Sequence, residues 1–485
     1  MELRTVAVLG GGPGGLYAAR LLKLAQPDLQ VDLYEQGSAA TTFGFGVGLA
    51  AGTQRNLRSA DPDSLADILE RAHPHDMSLR VGDAVAHMPD DTLRAIGRST
   101  LLGVLQDHAR AAGVTLHLGE RVAAGDLDAD LVVAADGINS ATREAHAAHF
   151  DASVEVGEGL YLWCGTDVAL PSALFMPVTT GAGTFVTHAY PYAADRSTFL
   201  VETDEATWRA AGFEASTAAL ADAPADASDD VALRYLEQAF AEPLQGHPLI
   251  GNRTRWLRFR TVRCARWSHD NVVLLGDAAH TAHYSIGSGT KLAMEDAIAL
   301  VAAVGAHTTV AAALAEYEAV RRPAVEHLQA VAGRSQRWWD TFPDRLEVPV
   351  HQLLVAYMTR AGKVPLARFA ESTPQVVREA LGEYAGERAP DDALDDLEKF
   401  VLTRAGARGG VRFEDRVTPL PAASTVRLDG PADRDAVLDR LDRAEAARRE
   451  QPLPVTVVGP EECLPDLLAG LVSGRTDLIE VTPRA

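Results

Sequence analysis

The stretch TVAVLGGGPGGLYAARLLK, residues Thr5–Lys23, decides the fold of this chain. An apolar, β-branched run is followed by a glycine-rich turn and then by apolar residues at helical spacing, which predicts a strand, a tight turn and a helix. Gly10, Gly12 and Gly15 supply the pattern G-x-G-x-x-G in this context, with Gly14 in the same turn. The sequence therefore predicts a Rossmann-type unit that binds a dinucleotide.

Each glycine of the G-x-G-x-x-G pattern has its own physical reason. Gly10 allows the tight turn, Gly12 lets a pyrophosphate approach the backbone, and Gly15 lets the helix pack closely on the strand. The N-terminus of the helix then offers unpaired N–H groups and the positive end of its dipole to phosphate. We therefore expect this turn to bind the cofactor.

A second strand, QVDLYEQG, ends in Glu35. This acid lies about 20 residues beyond the glycine turn, where dinucleotide-binding units place an acid on a ribose hydroxyl. An acid at this point, rather than an arginine, suits an adenosine ribose without a 2′-phosphate. The two motifs together fit FAD or NAD.

Two later segments favour FAD. DLVVAADGINSATRE is a strand followed by Asp136 and Gly137, and NVVLLGDAAHTAH is another that ends in Gly276 and Asp277. A nicotinamide-dependent dehydrogenase does not need an acid at the end of two more strands. A tightly held flavin does, because the hydroxyls of its ribityl chain require hydrogen-bond partners.

The three segments together resemble the class A flavoprotein monooxygenases, the family of p-hydroxybenzoate hydroxylase, across residues 1–340. The resemblance implies that NADH or NADPH reduces a bound FAD and that one oxygen of O2 enters an aromatic ring through a flavin C4a-hydroperoxide. Arg98, in IGRSTLLGVLQDHARAAGV, matches the polar residue that opens a helix beside the flavin. The FAD-binding residues implied so far are Gly10, Gly12, Gly14, Gly15, Glu35, Arg98, Asp136, Gly137, Gly276 and Asp277.

A narrower resemblance is to the salicylyl-CoA 5-hydroxylases and 2-aminobenzoyl-CoA monooxygenases. It is carried by FGFGVGLA (Phe43–Ala50), LYLWCGTDVAL, TVRCARWSHDNVVLLGDAAHTAHYSIGSGTKLAMEDAIAL and AEYEAVRRPAVEHLQ. The wider family usually has proline and asparagine where this chain has His283-Tyr284 and Lys291. This subgroup implies an ortho-hydroxy or ortho-amino benzoyl thioester, carried by coenzyme A or a carrier protein and hydroxylated at position 5.

The late turn GDAAHTAHYSIGSGTK is then expected to adjoin the flavin. Asp277 is expected to hold the ribityl chain, while Gly287 and Gly289 let the backbone approach the cofactor. The helix from Lys291 points its dipole at the electron-rich edge of the isoalloxazine.

His283 and Tyr284 are the candidate catalytic residues of this turn. Rings packed against the flavin screen it from water, and these two side chains are expected to face the substrate ring. The alternative for His283 is a structural hydrogen bond inside the turn. His280 is expected to fix the turn rather than to take part in the chemistry.

Residues 151–262 alternate apolar and polar side chains in short runs. GTFVTHAYPY and STFLVETD have the period of antiparallel strands. By the resemblance this is the substrate-binding sheet, and Trp163, His188 and Tyr190 are candidate lining residues. Core packing is the alternative for each of them.

The stretch NRTRWLRFRTVRCARW is unusually basic for a chain with a net charge of -22. Strand alternation is expected to place Arg253 with Arg255 on one face and Arg258 with Arg260 on one face. Arginine suits phosphate, so Arg258 and Arg260 are candidates for docking the phosphates of coenzyme A or of the nicotinamide cofactor. The alternative is a solvated strand whose charges are balanced by neighbouring acids.

Bulk properties exclude several classes. The strong negative charge argues against nucleic acid or an anionic membrane as partner. The chain has 3 cysteines, without metal-ligand spacing, which predicts no metal site and a reducing, cytoplasmic location. No apolar run reaches the roughly 18 residues that span a bilayer, and the N-terminus lacks the pattern of a signal peptide. A monomer and a homodimer both remain open.

These observations predict an α/β fold for the 485 residues. Residues 1–150 and 263–390 are expected to form a Rossmann-like FAD-binding domain that ends in helices. Residues 151–262 form an interleaved antiparallel substrate sheet, and residues 391–485 a small α/β extension of unknown role. That extension is far shorter than the roughly 250 residues of an additional barrel domain.

Two other functions stay open at this point. The first is a hydroxylase of a free aromatic compound, such as an indole or tryptophan derivative, which does not need phosphate-binding arginines. The second is a flavin-binding protein without hydroxylase chemistry.

Overall fold

The structure is a computed structural model that describes residues 3–38 and 44–483, so that Phe43 of the FGFGVGLA stretch lies outside the described residues. The strands are β1 Thr5–Leu9, β2 Gln30–Glu35, β3 Gly46–Leu49, β4 His73–Pro74, β5 Met77–Val81, β6 Ala84–Met88, β7 Arg94–Gly97, β8 Thr115–Leu118, β9 Leu131–Ala134, β10 Ala152–Thr166, β11 Ala173–Thr180, β12 Gly183–Ala193, β13 Arg196–Thr203, β14 Leu249–Ile250, β15 Trp256–Cys264, β16 Ser268–His269, β17 Val272–Leu274, β18 Gly406–Arg408, β19 Val411–Phe413, β20 Val426–Leu428, β21 Val455–Pro460 and β22 Leu478–Thr482.

The helices are α1 Pro13–Ala25, α2 Ala51–Ala60, α3 Pro62–Arg71, α4 Arg98–Ala112, α5 Ala141–Ala145, α6 Ala147–Phe150, α7 Glu205–Ala210, α8 Phe213–Ala219, α9 Asp230–Ala239, α10 Ala241–Leu244, α11 Gly289–Ala306, α12 Val310–Asp340, α13 Val350–Thr359, α14 Leu366–Ser372, α15 Pro374–Ala385, α16 Leu397–Leu402, α17 Arg434–Glu450 and α18 Leu464–Val472. None of the helices in the described residues combines the length and the apolar composition needed to cross a bilayer.

The chain divides into two compact units. The first unit comprises Met1–Asp76 and Asp90–Gln336, and the second comprises Met77–Pro89 and Arg337–Ala485. The division near residue 336 falls inside α12. Residues 337–390, which the sequence analysis groups with the FAD-binding region, cluster with the C-terminal residues of the second unit.

The first unit contains a sheet in the order β16-β17-β9-β1-β2-β8. The pairs from β17 to β8 are parallel, and only β16 runs antiparallel to its neighbour. Every residue of β9 is buried, because both faces of a parallel sheet are covered. Helix α1 packs against α4 and α11, so the segment that opens the sequence forms the strand, turn and helix predicted for it.

A second sheet of the first unit is antiparallel, with β14, β10, β13, β12 and β11 adjacent in that order and β15 paired with β10. One face of this sheet is apolar, and Leu162, Phe185 and Phe199 share a core with residues of α7–α10. GTFVTHAYPY and STFLVETD form β12 and β13, as predicted.

The other face of the antiparallel sheet carries the polar and aromatic side chains. Tyr161 lies directly opposite Glu202, while Leu200 lies opposite both Trp163 and His188. Because side chains one residue apart in a strand point to opposite faces, these residues share the face that the helices do not cover. That face positions the candidate substrate site.

The second unit contains the α/β extension that the sequence predicts. β20, β21 and β22 form a parallel sheet in which α17 and α18 connect successive strands. Trp338 and Trp339 are packing residues of this unit, with 4% and 3% of their surfaces exposed, and their rings contact Phe342 and Tyr357. The three cysteines are free and buried.

A buried ion pair supports the first unit. Arg20, on α1, donates from Nε to Asp61 Oδ2 at 2.5 Å and from Nη2 to Oδ1 at 2.9 Å. Asp61 also caps α3 by accepting from the backbone N–H of Ser64. Burial raises the pKa of Asp61, but the bonds from Arg20 and Ser64 outweigh it and bring the pKa below its ordinary value.

We predict that Asp61→Asn lowers the free energy of unfolding by about 3–5 kcal/mol, because it leaves the buried Arg20 charge without its counter-ion. Urea denaturation at neutral pH measures this loss. Since the folded-state pKa is depressed, the wild-type advantage is present above the unfolded carboxyl pKa and disappears as the pH falls through the folded value. Asp107→Asn, which removes an exposed partner of Arg110, is the matched control and should cost less than about 1 kcal/mol. Equal losses in both variants would contradict the prediction.

Candidate functional site

Four turns meet at the carboxyl edge of the parallel sheet. They follow β17, β9, β1 and β2, which are four consecutive strands of the sheet. Parallel strands bring their carboxyl ends to one edge, which is where ligands bind in open α/β sheets. The turns contain the glycine motif, Glu35, Asp136 and Asp277.

The glycines of the first turn divide into two kinds. Gly10 has φ +102°, and a Cβ there would lie 2.2 Å from the carbonyl oxygen of Ala135. A Cβ on Gly15 would lie 2.1 Å from the carbonyl oxygen of Gly10, and one on Gly14 would lie 2.7 Å from Leu275. A Cβ on Gly12 would meet nothing within 4 Å. Packing therefore requires three of these glycines, whereas Gly12 borders open space.

Glu35 is held rigidly at the end of β2. Its Oε2 accepts the backbone N–H of Gly11 at 2.7 Å, and its Oε1 accepts that of Gly37 at 2.6 Å. Both carboxylate oxygens keep further lone pairs, so the side chain remains able to accept bonds from ribose hydroxyls.

Asp136 shapes the turn after β9. Its Oδ2 accepts bonds from the N–H and the hydroxyl of Thr142, while Oδ1 is buried and has no hydrogen-bond partner among the described residues. Gly137 follows with φ +80°, and a Cβ there would also meet nothing within 4 Å. An unsatisfied buried acceptor beside open space marks a place where a ligand donor fits.

Arg143 joins this turn to the one after β17, a connection that the sequence analysis does not anticipate. Its guanidinium is buried and donates to the carbonyl oxygens of Ile138, Asp277 and Ala278. The basic residue in the run NSATRE was the signal for it. The two turns are therefore fixed relative to each other.

The Asp277 side chain is exposed, although its neighbours Gly276 and Ala278 are buried. No hydrogen bond from another described residue reaches its carboxylate. Burial raises the pKa of the Asp277 carboxyl, although His280 and Arg98 oppose the shift. Burial likewise lowers the pKa of the Arg98 guanidinium, which the Asp277 charge opposes. The structure thus brings Arg98 and Asp277 close to each other.

Gly276, Gly287 and Gly289 complete the cleft. Gly276 and Gly287 have φ +62° and +59°, and a Cβ on Gly276 would lie 2.9 Å from Ala293. Gly287 and Gly289 have open space where a Cβ would be. Helix α11 begins at Gly289, two residues before the expected start at Lys291.

A buried carboxylate on α11, Asp296, holds the turn after β17 in place. Its Oδ2 accepts the N–H of Gly276 at 3.1 Å and lies 2.7 Å from Nε2 of His280, while Arg321 donates to its Oδ1 at 2.8 Å. Burial raises the pKa of Asp296, but His280 and Arg321 bring it below its ordinary value. His280 therefore fixes the turn, as expected. Asp296, an acid within the apolar helix KLAMEDAIAL, was the sequence signal for this buried ion pair.

The cleft fits FAD. A Cβ would meet nothing within 4 Å at four glycines from different elements of this edge: Gly12, Gly137, Gly287 and Gly289. An accessible carboxylate at Asp277 and an unsatisfied oxygen of Asp136 supply acceptors for hydroxyls. The N-terminus of α1 lies beside Gly12 and offers N–H groups to a pyrophosphate. When bound, FAD supplies the redox chemistry that these side chains lack.

Tyr284 projects from the late turn onto the antiparallel sheet. Its hydroxyl donates to Oε2 of Glu202 at 2.5 Å, and Oε1 of Glu202 lies 3.1 Å from Nε2 of His188. The ring of Tyr284 lies 4.9 Å from that of Tyr161 and 6.3 Å from that of Trp163, measured between centroids. The structure therefore brings together Tyr284, His188 and Trp163, and adds Glu202, which the sequence analysis missed.

His283 makes the structural hydrogen bonds that were the alternative to a catalytic role. Its Nδ1 lies 2.9 Å from the hydroxyl of Ser285, which in turn lies 2.7 Å from the hydroxyl of Ser335. The imidazole also packs 4.1 Å from the ring of Tyr284 and 4.9 Å from that of Phe259. His283 thus supports Tyr284 directly.

Tyr190 contacts β3, whereas His188 contacts Glu202. Its hydroxyl donates to the carbonyl oxygen of Gly46 at 2.8 Å, and the N–H of Gly46 donates to Thr198. Burial raises the pKa of Tyr190 to about 12. Tyr190 thereby ties β12 to β3, the strand of the GVGL segment.

The arginines of β15 have partners within the first unit. Arg258 forms a 2.8 Å ion pair with Glu205 on α7, and Arg260 donates to the side-chain oxygen of Asn139 at 2.8 Å. The expectation that Arg253 and Arg255 share a strand face is wrong, because β15 begins only at Trp256 and Arg253 has φ +55°. Arg260 is exposed, and it lies beside the turn that contains Asp136.

The two kinds of glycine give a paired prediction. Gly12→Ala should leave the apoprotein as stable as the wild type but weaken FAD binding by about tenfold or more, because the methyl group displaces a phosphate from backbone donors. Gly10→Ala should instead lower the free energy of unfolding by about 2–3 kcal/mol, because its Cβ overlaps Ala135. FAD titration and urea unfolding of the apoproteins separate the two effects. An unstable Gly12 variant, or a stable Gly10 variant, would overturn this division.

Comparison with known proteins supports FAD as the cofactor. A family model described as FAD binding domain matches residues 97–332. The chain is 42% identical over 342 residues to salicyloyl-CoA 5-hydroxylase from a Streptomyces species, covering 70% of this chain but only 65% of that relative's length. It is 39% identical over 361 residues to 3-hydroxy-4-methyl-anthranilyl-[aryl-carrier protein] 5-monooxygenase from Streptosporangium sibiricum, covering 74% of this chain and 95% of the relative.

A similar fold is found in the tetrameric form of 2-methyl-3-hydroxypyridine-5-carboxylic acid oxygenase. The TM-score is 0.56 with 21% sequence identity, and the match covers 75% of this chain and 97% of the other. The identity and coverage of the Streptosporangium relative confirm the family that the motifs indicated. The chain therefore belongs to the family of FAD-dependent monooxygenases.

Proposed function

We propose that this monooxygenase uses NADH or NADPH and O2 to hydroxylate position 5 of an ortho-hydroxy or ortho-amino benzoyl thioester. The observation that carries the proposal is the face of the antiparallel sheet around Tyr284. There a hydrogen-bonded acid and an imidazole, Glu202 and His188, lie among the rings of Tyr161 and Trp163. Such a surface suits an aromatic ring that bears a polar substituent.

The chemistry requires this combination. An ortho hydroxyl or amino group donates electrons into the ring and activates the carbon para to itself, which is position 5 of a salicyl or 2-aminobenzoyl group. The residues of this chain bind the ring, orient it and exclude water, while Tyr284, supported by His283, takes the position nearest the substrate. FAD supplies the activated oxygen.

The relatives support the same substrate class. The names of both relatives specify oxidation at position 5, one of a coenzyme A thioester and the other of an anthranilyl group on a carrier protein. Both names describe a benzoyl group with an ortho donor. Because the chain spans 65% of the first relative's length, we carry over only the hydroxylation and not that protein's whole activity.

The cofactor contacts follow from the cleft. We propose that the glycine turn and Glu35 bind the adenosine diphosphate part of FAD and that Asp277 binds the ribityl chain. Arg98, Gly287 and Gly289 then adjoin the isoalloxazine. The full proposed set is Gly10, Gly12, Gly14, Gly15, Glu35, Arg98, Asp136, Gly137, Gly276, Asp277, Gly287 and Gly289.

We place the reaction in the cytoplasm. Coenzyme A thioesters and reduced nicotinamide cofactors are available there, and the three buried cysteines form no disulfide.

The carrier is proposed to dock on the exposed arginines of β15. Arg260 offers its charge most directly, since its partner Asn139 is neutral. Arg258 already pairs with Glu205 and contributes by exchanging that partner for a phosphate. Arg263, the third arginine of β15, pairs with Glu155.

The substrate class is tested with purified holoenzyme and a panel of ring compounds. We expect oxygen and NAD(P)H consumption, with a 5-hydroxylated product identified by mass spectrometry and NMR, for salicylyl-CoA or 2-aminobenzoyl-CoA. Benzoyl-CoA lacks the ortho donor and should be bound but not hydroxylated. Turnover of free indole or tryptophan derivatives alone would indicate a hydroxylase of a free aromatic compound. A yellow protein that is inert to the whole panel would indicate a flavin-binding protein without hydroxylase chemistry.

The docking surface is tested with two thioesters of the same ring. Arg260→Ala should raise KM for the coenzyme A thioester about tenfold, the loss of one charge-assisted hydrogen bond. The same variant should leave KM unchanged for the N-acetylcysteamine thioester, which lacks phosphates. Arg110→Ala, at an exposed site on α4, is the matched control. A rise in KM for both thioesters, or for neither, would contradict phosphate docking at Arg260.

A further inference from the structure

We propose that Glu202 is a positioning residue that makes Tyr284 the proton acceptor for the ortho donor group of the substrate. The inference rests on the proposed function and names the residues that recognise the donor. It also explains why a carboxylate is buried among aromatic rings on this sheet face.

The burial of Glu202 requires a function. Its side chain is 11% exposed, at the end of the apolar run STFLV in β13. Strand position 202 lies opposite Tyr161 on one neighbouring strand and opposite Val186 on the other. An ionised carboxylate in such surroundings is stable only when it is paired and hydrogen-bonded.

Every titratable group that faces Glu202 comes from another element. His188 lies on β12, Tyr284 and His283 lie in the turn before α11, and Tyr161 lies on β10. Burial raises the pKa of Glu202, but His188, His283 and the Tyr284 hydroxyl outweigh it, so the pKa lies below its ordinary value. Burial raises the pKa of Tyr161 to about 12, so this phenol keeps its proton. Glu202 is therefore the anion of the group.

The anion determines the direction of the Tyr284 hydroxyl. A carboxylate only accepts hydrogen bonds, so the O–H of Tyr284 donates to Oε2 of Glu202 at 2.5 Å. A phenolic oxygen that donates its own proton has lone pairs left to accept another. Tyr284 thus recognises a ring substituent that carries a proton, O–H or N–H, and disfavours one that does not.

The ring of Tyr284 is held in place on three sides. Tyr161 and Trp163 lie on one neighbouring strand, His188 on another, and His283 and Phe259 complete the contacts. Ser285 and Ser335 fix His283 in turn. Glu202 therefore acts on a side chain whose position is already determined by packing.

The proton path balances in both directions. As the ring gives an electron pair to the incoming oxygen, the donor X–H bond breaks and its proton goes to the Tyr284 oxygen. The original Tyr284 proton passes to Oε2 of Glu202, which becomes neutral. When the proton on carbon 5 leaves to solvent and the ring regains aromaticity, the two transfers reverse and X–H re-forms.

This relay works only during oxygen transfer. A phenol ordinarily holds its proton about six pH units more tightly than a carboxylic acid, so Glu202 does not deprotonate the resting substrate. Once the ring loses electron density, the donor X–H becomes a strong acid and the transfer runs downhill. The relay therefore stabilises the transition state rather than the bound substrate.

The test compares Glu202→Gln and Tyr284→Phe with the wild type, using salicylyl-CoA and 2-aminobenzoyl-CoA. Both variants should retain FAD and lower kcat about 100-fold, with KM changed less than threefold, since the lost proton transfer acts in the transition state. For the salicyl substrate, kcat of Glu202→Gln should rise about tenfold per pH unit toward the pKa of the substrate phenol, because ionisation in solution replaces the relay. For the 2-aminobenzoyl substrate no such rise should occur, since an aryl amine does not lose a proton in this range.

The matched control is Glu155→Gln, which makes the same substitution on the exposed part of β10 and should behave as the wild type. Wild-type kcat in Glu202→Gln would overturn the relay. So would a loss that is equal at every pH for both substrates, the pattern of a purely structural defect. Absence of wild-type turnover on either thioester would instead overturn the proposed function and the relay with it.

Discussion

The active-site cleft depends on one buried carboxylate, Asp296. It lies on α11 without contact with water, and it accepts from the turn after β17 while pairing with His280 and Arg321. Removing any partner would leave an uncompensated buried charge, which costs about 3–5 kcal/mol. The turn therefore has one stable conformation. In that conformation Gly276 takes its positive φ, the Asp277 side chain is exposed, and α11 starts at Gly289 beside the proposed cofactor site.

The same turn connects the two sheets of the first unit. Its first half closes the carboxyl edge of the parallel sheet, where we propose that the cofactor binds. Its second half carries Tyr284 to Glu202 on the antiparallel sheet. The proposed cofactor and substrate sites are thus linked by a few residues of backbone, and positioning of this kind supplies much of an enzyme's rate enhancement.

Local patterns in the sequence identified the residues that we propose to bind the cofactor. Glycine spacing, strand periodicity and terminal acids are local, and Gly10, Glu35, Asp136 and Asp277 all lie at the predicted sheet edge. The C-terminal strands and helices were also predicted by their own periodicity.

The proposed substrate site was harder to predict from the sequence, because the residues that contact each other there are distant in the chain. Glu202 and Tyr284 are 82 positions apart, and nothing local distinguishes Glu202 from a solvated strand acid. Alternation in STFLVETD places it on the same face as Leu200, which was the usable signal. Asp296 and Arg321 pair across 25 positions in the same way. Arg253 shows where a local pattern fails. Strand alternation was assumed for it, but its backbone is left-handed and it lies before the start of β15.

Arg143 has a consequence for the motions of the protein. A single guanidinium bonds three carbonyl oxygens in two turns that are separated by more than a hundred residues in the chain. Neither turn can open to solvent without breaking bonds to the other, so their backbone amides should exchange with deuterium as one cooperative unit. If FAD contacts both turns, as proposed, its release requires the two turns to open together.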